Sequence, residues 1–314
     1  MRQRFLGAAI AVLSLAVSSA HAQGVAVASL QITDILNNTY SAWVGYIDLA
    51  KYAKSFRPVV RGSACNQCQE FPAVTLLDTQ TFSTSFPNIV VAVTANSGLA
   101  LPQYTNGLCA STADGLIVSN GLLVNPPGYQ GPVLYFPAIG GPVITAGPLP
   151  PLNSIQWAVA GSTITNNDCS CGQLGTLLVS NGMPGTCAVP KSTIQAARGA
   201  AGLTAKGVLI LAIVQGTEGS SGMTTAQFAQ LLIGLGAYNA VNFDGGGSTA
   251  FIWNPAGLTL TEETSLHALV TGGGGFTVTP AWQPVNSPLN IPSCSTCTTY
   301  RPVYANLGMQ LVTH

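Results

Sequence analysis

The stretch GVLILAIVQGTEGSSGMTTAQFAQLLIGLGAYNAVNFDGGGSTAFIW, residues 207–253, carries most of what this chain says about itself. Its opening run, Val208 to Val214, is aliphatic and β-branched throughout, the mark of a strand covered on both faces. Further on the period lengthens. Phe228, Leu231, Leu232 and Leu235 recur at helical spacing, Thr224 or Thr225 stands ready to cap the start, and Gly236 marks the stop. NAVNF, residues 239–243, then resumes as a strand. Strand, helix and strand in that order make a βαβ-like unit that delivers Asp244 to the carboxyl end of a strand. In open α/β sheets that edge is where ligands bind.

The three glycines after Asp244 admit two readings. Asp-Gly suits a type I′ hairpin turn, and spare glycine merely loosens it. Alternatively, Gly245, Gly246 and Gly247 strip the corner of side chains so that successive backbone N–H groups can approach an anion. Asn242, Ser248 and Thr249 then add polar side chains and Asp244 a carboxylate. TGGGGF at 271–276 has no such polar company and reads as a turn or loop.

Outward from this stretch the chain is poor in charge. Of 314 residues only 6% are Asp, Glu, Lys or Arg, with 10 basic against 10 acidic, so the basic footprint of a nucleic-acid binder is missing. A hydrophobic content of 47% with 35 Gly and 20 Pro fits a strand-rich, turn-rich fold better than a helical bundle. NIVVAVTA reads as another buried strand, and Asn120-Gly121 and Asn181-Gly182 each sit between short apolar runs as hairpin turns. No composition break marks a linker. The expected architecture is a single α+β or α/β domain: a mixed, strand-rich sheet core with few helices.

Residues 1–22 have the order of an export signal: Arg2 and Arg4, an apolar run from Phe5 to Val17, then Ala20-His21-Ala22 as a small-residue cleavage site. The domain then spans 23–314, and the apolar run is shorter than the ~20 residues a membrane span needs. A periplasmic or secreted protein with no stable span after cleavage is expected. The 8 cysteines, Cys65, Cys68, Cys109, Cys169, Cys171, Cys187, Cys294 and Cys297, form an even set beyond the signal and read as disulfide staples. CNQC and CSTC also have zinc-ligand spacing, but they stand far apart in an oxidising compartment.

NFDGGGST resembles the N-[LF]-D-G-G-G-S-[ST] signature of the phosphodiester glycosidase family. The likeness continues in family order: DGLIVSNGLLVNP, WAVAG with LLVSNG, ARGAAG containing Arg198, the helix before the signature, and VNSPLN…RPVYANLG near the C-terminus. Two places depart from it. Where the family ends its central strand with Val-Asp-Gly-Arg, this chain has Val214-Gln215-Gly216-Thr217, and the family's early N-[GA]-x-F-F element is reduced to VTANSG around Asn96.

The resemblance implies an exported hydrolase that cleaves a sugar-phosphate diester at the glycosidic carbon, on envelope or exopolysaccharide substrates. A phosphorylated carbohydrate is then the partner. A catalytically inactive carbohydrate-binding relative and a structural envelope protein are the alternatives. The implied catalytic residues are Arg198, whose planar fork suits phosphate oxygens, and Asp244, as nucleophile, general base or ligand of a cation. Glu218 is the nearby candidate for a second carboxylate. Asn242, Gly245, Gly246, Gly247, Ser248 and Thr249 are the implied substrate-binding residues, with Arg301 and Asn306 closing the site from the C-terminal segment. No cofactor is called for, and a divalent cation such as calcium stays open. A Ser-His-Asp hydrolase has little support, since His267 is the one mature histidine besides the terminal His314.

Overall fold

The computed structural model describes residues 20–22, 24–34, 37–52, 54–61, 74–75, 78–96, 98–99, 109–110, 112–113, 115–127, 131–161, 177–185, 194–217, 219–255, 260–262, 276–278, 283–284, 289–291 and 305–312. Among them the chain forms three principal sheets. The largest has 11 strands, and its centre runs in the order Asn239–Asn242, Arg198–Leu203, Val208–Val214, Thr39–Asp48, Val25–Asp34. A second sheet of five strands is centred on Ile155–Ala160. The third, also of five, runs Leu289–Ile291, Phe251–Trp253, Ile89–Thr94, Asn306–Leu311, Phe56–Arg61.

Alternation along the Val208–Val214 strand shows how the layers stack. Leu209, Leu211 and Ile213 join the core shared with the third sheet, alongside Val91, Val93, Phe251 and Leu307. Ile210, Ala212 and Val214 point the other way, into a second core with Phe228, Leu231 and Leu232 of the Thr225–Gly234 helix. Period-two alternation with both faces covered is why this strand reads as a continuous apolar run. Each large aliphatic side chain so buried stabilises the fold by about 1.5–3 kcal/mol.

The expected local devices are present. Thr224 caps the helix in a reciprocal capping box with Gln227. At the other end Gly236 (φ 90°) closes a Schellman motif: its N–H donates to the Ile233 carbonyl, and that of Ala237 to Leu232, both at 2.9 Å. Asn120 and Gly121 (φ 52° and 75°) and Asn181 and Gly182 (53° and 74°) make the two hairpin turns.

Two expectations change. Arg198–Leu203 pairs antiparallel with both Val208–Val214 and Asn239–Asn242, so it lies between the two strands that the helix connects. Those two are parallel to each other but never neighbours, and the βαβ unit is split. Every pairing among the described strands is antiparallel, rather than the mixed set expected. The cysteines lie outside the described residues, except for Cys109 in a two-residue strand, and so does the question of their disulfides. TGGGGF up to Gly275 and His267 lie outside them too. No helix among the described residues is long and apolar enough to cross a membrane.

Candidate functional site

The signature segment is not a hairpin turn. Its two flanking strands belong to different sheets: Asn239–Asn242 to the largest and Phe251–Trp253 to the third. DGGGSTA is a crossing between layers. The Asp244 N–H donates to the Ala95 carbonyl at 2.7 Å, and Thr94 N–H to the Ala250 carbonyl at 3.3 Å, so the corner is laced to the end of the Ile89–Thr94 strand. Asn96, the residue after Ala95, is fully buried there.

Each glycine has its own circumstance. Gly245 is extended (φ −117°, ψ −164°), a conformation open to any residue, but a Cβ on it would stand 3.0 Å from the Ala197 carbonyl oxygen. Gly246 has φ +56° and starts a single 3₁₀ turn to Ser248. Gly247 is exposed.

Four of the corner's amides donate within the protein. Gly245 N–H donates to Asp244 Oδ1 at 2.9 Å and Gly246 N–H to the Ala197 carbonyl at 2.9 Å. Ser248 and Thr249 N–H donate to the carbonyls of Gly245 and Gly246 at 3.3 and 3.2 Å. Gly247 is the glycine whose amide these bonds do not use.

Arg198 opens its strand opposite Val214. Its Nε donates to the Met223 carbonyl at 3.0 Å and its Nη2 to the Ile194 carbonyl at 2.8 Å, which fixes the plane of the guanidinium. Nη1 lies 3.8 Å from the position a Gly245 Cβ would take. Arg198 and Gly245, 47 apart in sequence, thus meet because Phe243 N–H and Gly246 N–H bond the carbonyls of Gly199 and Ala197 at the start of the adjacent strand.

Asn242 and Thr249 bracket the corner and are 7% and 2% exposed. Asn242 Oδ1 and Thr249 Oγ1 are buried atoms with no hydrogen-bond partner among the described residues. Unsatisfied buried polar atoms cost about 1–3 kcal/mol each and call for a reason. Both belong to the signature, and a polar ligand at the corner could satisfy them. Asp244 is half-buried next to them.

Asn306 connects to the corner through two threonines. It is fully buried, and its Oδ1 accepts from Thr79 Oγ1 at 2.7 Å. Thr79 Oγ1 lies 2.9 Å from Thr94 Oγ1, which donates to the Ser248 carbonyl at 2.7 Å. Thr79 and Thr94 were not legible in the sequence as part of the site, because their partners are 227 and 154 residues away. Gln215, at the place of the family's aspartate, is half-buried and donates its N–H to the Ser41 carbonyl at 3.0 Å. Glu218 and Arg301 lie outside the described residues.

In fold, this is the architecture of a phosphodiester-glycosidase catalytic domain. The structure is similar to the zebrafish N-acetylglucosamine-1-phosphodiester alpha-N-acetylglucosaminidase catalytic domain auto-inhibited by its pro-peptide, with TM-score 0.57 and 17% identity over 94% of this chain and 89% of that one. The phosphodiester glycosidase family model matches residues 88–270, more than half of the chain, and the chain belongs to that family. Its place is therefore among the hydrolases, as a glycosidase-type fold. Weaker similarity extends to a hypothetical protein of Synechocystis (TM-score 0.48, 14% identity, 91% of this chain, 62% of that one). It extends also to a protein of Burkholderia pseudomallei K96243 designated as exported (0.47, 13%, 87% and 74%). No curated protein matches the sequence.

Proposed function

We propose that the protein is an exported glycosidase that hydrolyses a sugar-phosphate diester at its glycosidic bond, acting on envelope or exopolysaccharide substrates. One observation carries the reading: the Arg198 guanidinium, fixed by two backbone carbonyls, lies beside the Asp244-Gly245 corner, its Nη1 3.8 Å from the space a Gly245 Cβ would enter. The bond from the anomeric carbon to the phosphate oxygen breaks. Water delivers hydroxide to that carbon, and its proton ends on the phosphate product or solvent. Phosphate is already a good leaving group, so positive potential on it matters more than a strong general acid. Arg198 supplies that potential, and Asp244 is the carboxylate beside the oxocarbenium-like carbon. Asn242 and Thr249 bind sugar hydroxyls or phosphate oxygens with their buried polar atoms. The N-terminal signal fits this reading. Among the described residues, cleavage after Ala22 removes only the three-residue strand Ala20–Ala22, which lies between Val25–Asp34 and Leu260–Glu262, and leaves Val25–Asp34 paired with Thr39–Asp48.

Gln215 favours one other reading, a carbohydrate-binding relative without turnover, since an amide cannot act as the family's carboxylate does at that strand end. Purified protein incubated with N-acetylglucosamine-1-phosphodiesters separates the two. Release of free sugar, reduced about a hundredfold or more by Asp244→Asn at unchanged thermal stability, supports the enzyme. Binding of the diester without any release establishes the second reading. Release that survives Asp244→Asn removes the mechanism.

A further inference from the structure

We infer that the protein has a second ligand site, for an anionic saccharide unit, at the opposite end of the third sheet from the glycine corner. The site is a cavity of about 500 Å³ whose lining includes Lys54, Arg57, Asn120, Gln156, Phe136 and Trp157. Its size suits a sugar ring or two and falls in the range of small-molecule pockets.

The position follows from strand register. Arg57 pairs with Gln310 and Arg61 with Asn306, so the cavity lies four residues along the Asn306–Leu311 strand from the asparagine that connects to the corner. At strand rise that is about 13 Å. None of Arg198, Asp244, Asn242 or Thr249 lines it.

Charge comes first. In a chain with only 10 basic residues, two line this one cavity, and among the described residues no carboxylate does. Arg57 is held by a neutral partner: its Nε donates to Gln310 Oε1 at 3.1 Å and its Nη2 to the same oxygen at 2.5 Å. Gln310 Nε2 in turn donates to the Pro87 carbonyl at 2.7 Å, so the guanidinium is aimed without being neutralised. Among the described residues neither Lys54 nor Arg57 is ion-paired, and both side chains are exposed. A concave surface with two cations and no counter-charge selects an anion.

The remaining lining asks for more than a bare anion. Gln156 Nε2 donates to Asn120 Oδ1 at 2.8 Å, which fixes both amides. That leaves Gln156 Oε1 and Asn120 Nδ2, an acceptor beside a donor, with no hydrogen bond among the described residues. A neighbouring acceptor and donor is the complement of two adjacent hydroxyls on a ring. Asn120 is held in its place by the left-handed turn (φ 52°), and Gly121 N–H ties that turn to the Gln156 carbonyl at 2.7 Å. Phe136, Trp157, Leu49 and Phe56 supply apolar surface for the C–H face of the ring. Cations for one substituent, amides for a diol and aromatics for a face together describe a sugar bearing a carboxylate or a phosphate.

The test is an NMR titration of the purified protein, followed at the Trp157 indole N–H, which Trp157→Phe assigns. The probes are glucuronic acid, glucose 1-phosphate, glucose and inorganic phosphate. Saturable shifts with at least one anionic sugar below about 10 mM, tighter than with glucose or inorganic phosphate, are expected. The two anionic probes tell carboxylate from phosphate. Lys54→Gln should weaken binding about threefold and Lys54→Gln with Arg57→Gln about tenfold, while Asp244→Asn leaves it unchanged. That last arm keeps this site distinct from the corner whichever way the turnover experiment falls. The inference is overturned if no probe shifts the resonance, or if inorganic phosphate binds as well as the sugar phosphate. It is also overturned if the lysine and arginine substitutions have no effect, or if Asp244→Asn abolishes binding.

Discussion

Gly245→Ala tests whether the gap between Arg198 and the corner is where the ligand sits. The backbone at Gly245 is extended, so alanine meets no conformational strain, and it restricts the unfolded chain by an amount that favours folding by about 0.4–1 kcal/mol. Against this, the new methyl stands 3.0 Å from the Ala197 carbonyl oxygen, which must yield by a few tenths of an ångström while still accepting from Gly246. Such overpacking costs about 1 kcal/mol at the low end of its usual range, so the two effects nearly cancel. Net stability should stay within about 1 kcal/mol of the parent, and Tm within about 4 °C. Function should not survive so well. The methyl lies 3.8 Å from Arg198 Nη1 and 4.0 Å from its Cδ, filling the space a phosphate oxygen would take. Displacing a substrate by this much costs on the order of a hundredfold in rate. The assay is release of sugar from an N-acetylglucosamine-1-phosphodiester, beside a thermal melt. Parental turnover in a stable Gly245→Ala protein would refute the assignment of that gap. A large fall in Tm would instead refute the claim that the clash is mild.

Three further outcomes follow from the packing. Gly161→Ala should lower stability by about 3 kcal/mol in urea, because its Cβ would fall inside contact with both Val241 Cγ2 and the Asn242 carbonyl, where backbone must move. Thr224→Ala should cost about 1 kcal/mol by removing the helix cap, and Thr224→Ser should restore most of it. Burial pushes the Tyr46 phenol well above its ordinary 10.0. The folded protein therefore keeps a proton that the unfolded chain releases above that pH. Stability from this group is intact below pH 10.0 and declines above it, by up to about 1.4 kcal/mol per pH unit. Tyr46→Phe should lose the 3.2 Å hydrogen bond to the Leu235 carbonyl but flatten that alkaline decline in a denaturation series.

What the sequence could show was whatever is written locally. The helix, its threonine cap, its glycine stop and both Asn-Gly turns depend on residues a few positions apart, and they were readable as such. The strand Val208–Val214 was readable because both faces are covered, which leaves an unbroken apolar run. Its neighbours were not. That Arg198–Leu203 inserts between the two strands of the crossover is a matter of long-range pairing, and no local pattern announces it. The same limit applies at the site. Arg198 and the glycine signature stood out by residue type and resemblance, and the structure brings them together. The fate of the corner's amides depended instead on where the carbonyl of Ala197 happens to lie, and the Thr79–Thr94–Asn306 chain on three segments far apart.

Asn242 and Phe251 are committed to separate sheets, so the eight residues between them act as a rivet through two plates. If one plate slides or tilts against the other, the strain concentrates between Asp244 and Gly246, since the first is bonded to Ala95 at the end of one layer's strand and the second to Ala197 at the start of the other's. A substitution deep in either layer can therefore distort the proposed site long before the protein melts. The corner is a gauge of how the two layers are aligned.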